Sequence, residues 1–117
     1  MTENSRSLDD YKAASLAAEN QNYPARLNFT VEYAGATYQA DPESYSEILA
    51  AAQQTELPTD FYWLDINNNK IPFNKQKIQE LANIVFLKRL AVFNQHQNRK
   101  QIMKNATIIE DLFFNQE

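Results

Sequence analysis

Asp65, Asn67 and Asn69 stand at alternate positions, the spacing at which an EF-hand loop offers its first three oxygen ligands to calcium. That chemistry also needs a glycine at the sixth loop position and a bidentate glutamate at the twelfth, and here those positions hold Lys70 and Gln76. A lysine inside the loop repels a cation. The run therefore reads as an Asx-rich turn, in which short polar side chains bond their own backbone and tolerate left-handed geometry. His96 is the sole histidine and there is no cysteine. One imidazole without thiolates does not assemble a zinc site of the common kinds, and a general base needs a nucleophile and an orienting acid at a defined distance. His96 is expected as a packed or rim residue. With Gly35 the only glycine, a glycine-rich phosphate loop is excluded. The paired acids Asp9-Asp10 and Glu110-Asp111 fall in the first turns of predicted helices, where they favour the helix dipole. No catalytic, cofactor-binding or metal-ligating set is read from these residues, so the expectation is a protein that is not an enzyme and takes no cofactor.

Two other constellations bear on binding. Tyr62 and Trp63 are adjacent in a strand-like run, so one enters the core and the other faces out, where it can stack a sugar or join an interface. Core packing is the commoner use of such residues. Lys88-Arg89 and Arg99-Lys100 are too few to make a phosphate-tracking groove and read as solvated charges or interface salt bridges. A net charge of −4, from eleven basic and fifteen acidic residues, leaves no nucleic-acid footprint.

The elements that must position these residues follow from local signals. The length of 117 residues suits one domain with one modest core. The expectation is a disordered stretch at 1–6 and a single α+β domain at 7–117, with the N-terminal helix at 7–20 loosely attached. Ser7 and Asp10 form a capping box for that helix. Residues 27–33 alternate as a half-buried strand, with Leu27, Phe29, Val31 and Tyr33 on one side. Gly35 takes a positive φ in a hairpin turn before a second strand to Ala40. Asp41 caps and Pro42 opens a helix running to about Gln54, with Tyr45, Ile48, Leu49 and Ala52 as its apolar face. Residues 61–64 and 71–73 flank the Asx turn as a second hairpin, whose Pro72 restricts it to an edge or to a brief strand. Asn74 caps a long helix over 75–104, and Thr107 and Glu110 form a capping box for a last short helix. The fold class is thus α+β: two β-hairpins packed against one medium and one long helix, with short terminal helices.

The long helix carries the one positive signal. Projected at 100° per residue, Ile78, Leu81, Ala82, Val85, Val92 and Phe93 share a face. Ile84, Leu87, Ala91 and Ile102 lie opposite, with Leu90 between. A surface helix buries one stripe, so a helix apolar on two sides must be covered twice. The second cover is either the terminal helices or another subunit. Ile84, Leu87, Leu90 and Ala91 are the candidate interface, interrupted by Lys88 and Arg89, and a homodimer or homotrimer is expected. The longest apolar tract, Ile84 to Leu87, is far too short to span a bilayer, and the N-terminus has no apolar signal-peptide core. No membrane or nucleic-acid partner is expected.

The order of elements and several short runs resemble the DUF4376 type of domain associated with phage and prophage tail fibres. The runs are Val31 to Tyr38, Ala40 to Ser46, Phe61 to Trp63, Ile71 to Lys75, Phe93 with His96, and the Ile102 to Leu112 tail containing Ala106 to Glu110. They are turns and core positions, and they cover residues 8–114. The chain departs from the pattern in its Asn- and Gln-rich composition and in placing Asn67 to Asn69 where the second turn has a glycine. The resemblance implies a non-enzymatic structural or fibre-assembly protein of the host-cell cytoplasm or virion, with a tail fibre or a second copy as partner. The rival reading from the residues is a small carbohydrate- or peptide-binding module using Tyr62 and Trp63.

Overall fold

The structure, a computed structural model, describes residues 7–106. The expected disorder at 1–6 and the expected helix after Thr107 lie outside them. The described chain is α+β: three helices and two small antiparallel hairpins. It divides into two compact units, one built from residues 7–25 and 92–106, the other from Arg26–Ala91.

In the first unit, helix α1 spans Leu8–Asn22. Its start is the expected capping box: Ser7 Oγ accepts from Asp10 N at 3.2 Å, and Asp10 Oδ2 accepts from Ser7 N at 3.3 Å. The helix outruns the expected stop at Asn20, and the chain then tightens into a 3₁₀ turn at Tyr23–Leu27. That turn claims Leu27, which the alternation pattern placed in a strand. Leu8, Tyr11 and Leu16 pack against Met103 and Ala106. Lys12 Nζ donates to the carbonyl of Lys104 at 3.0 Å, satisfying one of the acceptors that a helix leaves open in its last turn.

The second unit holds both hairpins. Strands β1 (Thr30–Tyr33) and β2 (Ala36–Gln39) pair antiparallel with Val31 opposite Tyr38. Both of those residues are buried. The two turn residues have φ of 50° at Ala34 and 84° at Gly35, the doubly positive geometry of the type I′ turn that suits the twist of paired strands. Helix α2 spans Pro42–Ala52, with Asp41 Oδ1 accepting from Ser44 Oγ at 2.6 Å. It sinks Ile48 completely. Strands β3 (Tyr62–Leu64) and β4 (Lys70–Pro72) form the second hairpin, and Asn68 holds its left-handed position with φ of 64°.

Helix α3 spans Lys75–Asn105. Asn74 Oδ1 accepts from Lys77 N at 2.8 Å, the expected cap. Ile78, Leu81, Ala82 and Val85 enter a core shared with Val31, Tyr38, Ala40, Ile48 and Phe73. Within it the Tyr38 ring meets Phe73 edge-on at 5.6 Å. Phe93 is 44% exposed, so it does not belong to the buried stripe on which its projection placed it. At 60° from Ile78 it falls beyond the arc that α3 buries.

Candidate functional site

Two surface features of the second unit can make contacts, and the sequence pointed to part of each. The first is the outward strip of α3. Leu87 is 54% exposed, Phe86 48% and Leu90 41%, and Ala91 is exposed beside them. Positions 86, 87, 90 and 91 lie on successive turns of one helical side. Ile84, the fourth candidate, is instead half-buried and packed against the core. Phe86 takes its place in the exposed strip.

Lys88 and Arg89 do not interrupt that strip. The Lys88 ammonium lies 4.9 Å from the Phe29 ring centroid and donates to the Thr30 carbonyl at 2.9 Å. The Arg89 guanidinium sits 5.0 Å from the centre of the Tyr45 ring. Both long side chains turn towards the hairpin and α2, laying their stems along apolar surface. Lys88 remains exposed, as a solvated charge would, whereas Arg89 is half-buried. Arg99, in the other unit, is buried rather than solvated.

The second feature is a groove of about 510 Å³ lined by Gln39 of β2, Ser44 and Glu47 of α2, Pro58, and the stretch from Asp60 to Asp65 with Asn68, Ile66 and Asn67 not among the lining residues. Its size falls within the range of ligand clefts, about 300–1,000 Å³. Tyr62 is 44% exposed, while Trp63 is half-buried against the core and 6.0 Å from the Phe61 ring. This is the in-and-out division the strand pattern required. Lys70 lies 4.9 Å from the Tyr62 ring centroid. The lining carries three carboxylates, Glu47, Asp60 and Asp65, and neither lysine nor arginine.

Asp65 is already engaged by its own turn. Its Oδ1 accepts from the backbone N–H of Asn67 at 2.9 Å and of Asn69 at 2.8 Å, and its Oδ2 from Asn69 Nδ2 at 3.1 Å. The Asn69 backbone bond above all holds its carboxyl below the usual range. The side chain that resembled a calcium ligand thus organises the hairpin.

His96 is buried. Its Nδ1 lies 2.7 Å from Glu19 Oε2, and its ring stacks on Tyr23 with centroids 4.1 Å apart. The sequence marked His96 as packed but did not mark Glu19, which reads there as one more helix-forming residue of α1. Among the described residues no group of three or more potential metal ligands converges, and no helix is long and apolar enough to cross a membrane.

The chain matches, over residues 5–116, a family described as a domain of unknown function, DUF4376. It belongs to the DUF4376 family. No curated protein and no solved structure matches it. The segments on which the resemblance rested are now placed in the DUF4376 fold: Val31 to Tyr38 is the first hairpin, Ala40 to Ser46 the capped start of α2, and Ile71 to Lys75 the passage from β4 into α3.

Proposed function

We propose that this DUF4376 domain is a non-catalytic association module that joins copies of itself through the outward strip of α3, in the setting of phage tail-fibre structure or assembly. The observation that carries the reading is the exposure of Phe86, Leu87 and Leu90 together outside the arc that α3 buries, with Lys88 and Arg89 folded away from them. A contiguous apolar patch of this kind marks an interaction surface more often than an idle one, and isologous pairing is the commonest way for a small chain to cover it. The tail-fibre setting is supported by the family resemblance alone and is the finer part of the proposal.

Sedimentation equilibrium at about 100 μM tests the association, since assembly depends on protein concentration. A species larger than 13.6 kDa that Leu87→Glu and Leu90→Glu return to monomer, with circular dichroism unchanged, supports it. A single monomeric species overturns it. Co-purification with the product of an adjacent fibre gene tests the setting separately.

The groove beside Tyr62 favours a second reading, a binding module for a small ligand or peptide. It is independent of the α3 strip, and a chain can carry both.

A further inference from the structure

The groove lies along a strand edge whose main chain is unused. In an antiparallel pair, residues alternate between pairs that exchange backbone hydrogen bonds and pairs whose N–H and C=O point away from the partner strand. The bond from Phe73 N to Phe61 O and that from Asp65 N to Asn69 O, each 3.0 Å, set the phase of the second hairpin. Trp63 and Ile71 bond to each other. Tyr62 opposite Pro72, and Leu64 opposite Lys70, turn their backbone groups outward. This explains how Pro72 sits in β4 at no loss, since the N–H it lacks would have faced away from the ladder.

The same reasoning applies to the first hairpin. The bond from Ala40 N to Phe29 O places Thr37 and Gln39 of β2 among the outward-turned residues. Thr37 O accepts from Ile66 N at 2.8 Å, so the outer edge of β2 meets the segment just after β3. Past that single bond the two edges do not pair, and the space beside them, bordered by Gln39, Tyr62 and Leu64, is the groove. The backbone groups of Tyr62 and Leu64 that turn away from β4 have no hydrogen-bond partner among the described residues.

Edge strands invite pairing with another chain unless they are blocked, commonly by lysine or proline. β4 carries both, Lys70 and Pro72. β3 carries neither. Its edge instead opens on a groove lined by Glu47, Asp60 and Asp65 without a basic residue.

We propose that the groove binds an extended, basic segment of a partner protein, which adds as a strand to the free edge of β3 and directs alternate lysine or arginine side chains at Glu47 and Asp60. Addition to an edge draws affinity from main-chain hydrogen bonds and specificity from alternate side chains. The N–H and C=O groups of Tyr62 and Leu64 recur roughly 7 Å apart along β3, the repeat at which an added strand presents its own. Every second side chain of that strand falls on one face, so lysines at alternate positions reach the acidic side of the groove together. The inference rests on the binding reading of the groove and does not depend on the α3 strip.

The probe is an acetylated octapeptide alternating Lys and Val, titrated against the full chain while following Trp63 fluorescence and backbone amide shifts in ¹⁵N spectra. Saturable binding is expected, with the largest amide shifts at Tyr62 and Leu64. The same peptide N-methylated at its alternate, Val amides, and separately at its Lys amides, supplies one version that cannot donate to β3, expected to bind at least about tenfold more weakly. The doubly substituted chain Glu47→Gln/Asp60→Asn is expected to weaken binding by about tenfold as well, and both substitutions are at surface carboxylates that leave the core intact. A peptide with Glu for Lys should not saturate. Equal binding of the Glu peptide, indifference to both methylation patterns, or no saturation by the Lys–Val peptide overturns the proposal. Saturation by a neutral oligosaccharide with shifts at Tyr62, and none by the peptide, also overturns it while keeping the groove as a binding site.

Discussion

Glu19 Oε2 and His96 Nδ1 lie 2.7 Å apart although 77 positions separate them in the chain, and both side chains are almost fully buried. A buried polar pair of this kind is costly to break from one side, because the remaining partner stays out of water without its hydrogen bond. Glu19→Ala and His96→Ala are each expected to destabilise the chain by about 1–3 kcal/mol. The double substitution should cost less than the two together. Urea denaturation of the four proteins gives the coupling directly, and additive losses would show that the two side chains act independently.

The first hairpin turn predicts a stabilising change. Ala34 holds a φ of 50°, a left-handed conformation that costs a side chain with a Cβ roughly 1–2 kcal/mol. Ala34→Asn creates an Asn-Gly pair, the preferred type I′ sequence, and is expected to raise stability by about 0.5–1 kcal/mol. Gly35→Ala should lower it by about 1 kcal/mol. Nothing lies within 4 Å of a Cβ built at Gly35, so that loss comes from the backbone φ of 84° and not from a clash. Thermal melts that rise for the first variant and fall for the second are the expected result.

Tyr33 donates its hydroxyl to Glu80 Oε1 across the second unit. That hydrogen bond, with burial and the Glu80 charge behind it, pushes the phenol up to about 12 from its ordinary 10.0, and the same bond holds the Glu80 carboxyl below its ordinary 4.5. A group whose pKa is raised by folding stabilises the fold fully below its unfolded value and loses that contribution as pH climbs through the folded one. A depressed carboxyl stabilises above its unfolded value and loses the contribution as pH falls. The advantage of the native chain over Tyr33→Phe should therefore be flat at neutral pH. It should shrink between pH 10 and about 12, and again below pH 4.5. Urea midpoints of the two proteins across pH test this, and a difference that stays constant at both ends would remove the bond from the account.

Ile84 and Leu87 are three residues apart, yet they are expected to respond oppositely to the same change. Ile84 packs against the core, so Ile84→Glu should destabilise by at least about 2 kcal/mol. Leu87 is 54% exposed, so Leu87→Glu should alter monomer stability by no more than about 0.5 kcal/mol while abolishing self-association. Chemical denaturation beside sedimentation separates the two effects. Unfolding by Leu87→Glu would place the strip inside the monomer's core.

Local signals determined the element order, because each boundary has a cause within a few residues. Ser7 with Asp10, Asp41 with Pro42, and Asn74 each satisfy helix N–H groups from their own turn. Gly35 and Asn68 supply the positive φ of the two hairpins. The alternation of Tyr62 and Trp63 fixed that one goes in and the other out, but not which, since period two is blind to the side of the sheet that is covered. The inner face of α3 was legible at Ile78, Leu81, Ala82 and Val85 and misread at Phe93, where hydrophobicity alone does not report burial.

What tertiary structure decided depends on contacts between distant positions. Glu19 gave no sign of its role because the histidine it meets in the fold stands 77 positions away in the chain. Lys88 and Arg89 read as charges on an apolar strip until Phe29, Thr30 and Tyr45 drew them off it. The groove borrows its walls from β2, α2 and the second hairpin, and its unused backbone groups follow from strand register. Composition and spacing encode which residues favour a helix, a turn or a strand. Register and side-chain reach depend on where those elements come to rest, and it is these that assemble the surfaces on which the proposed functions stand.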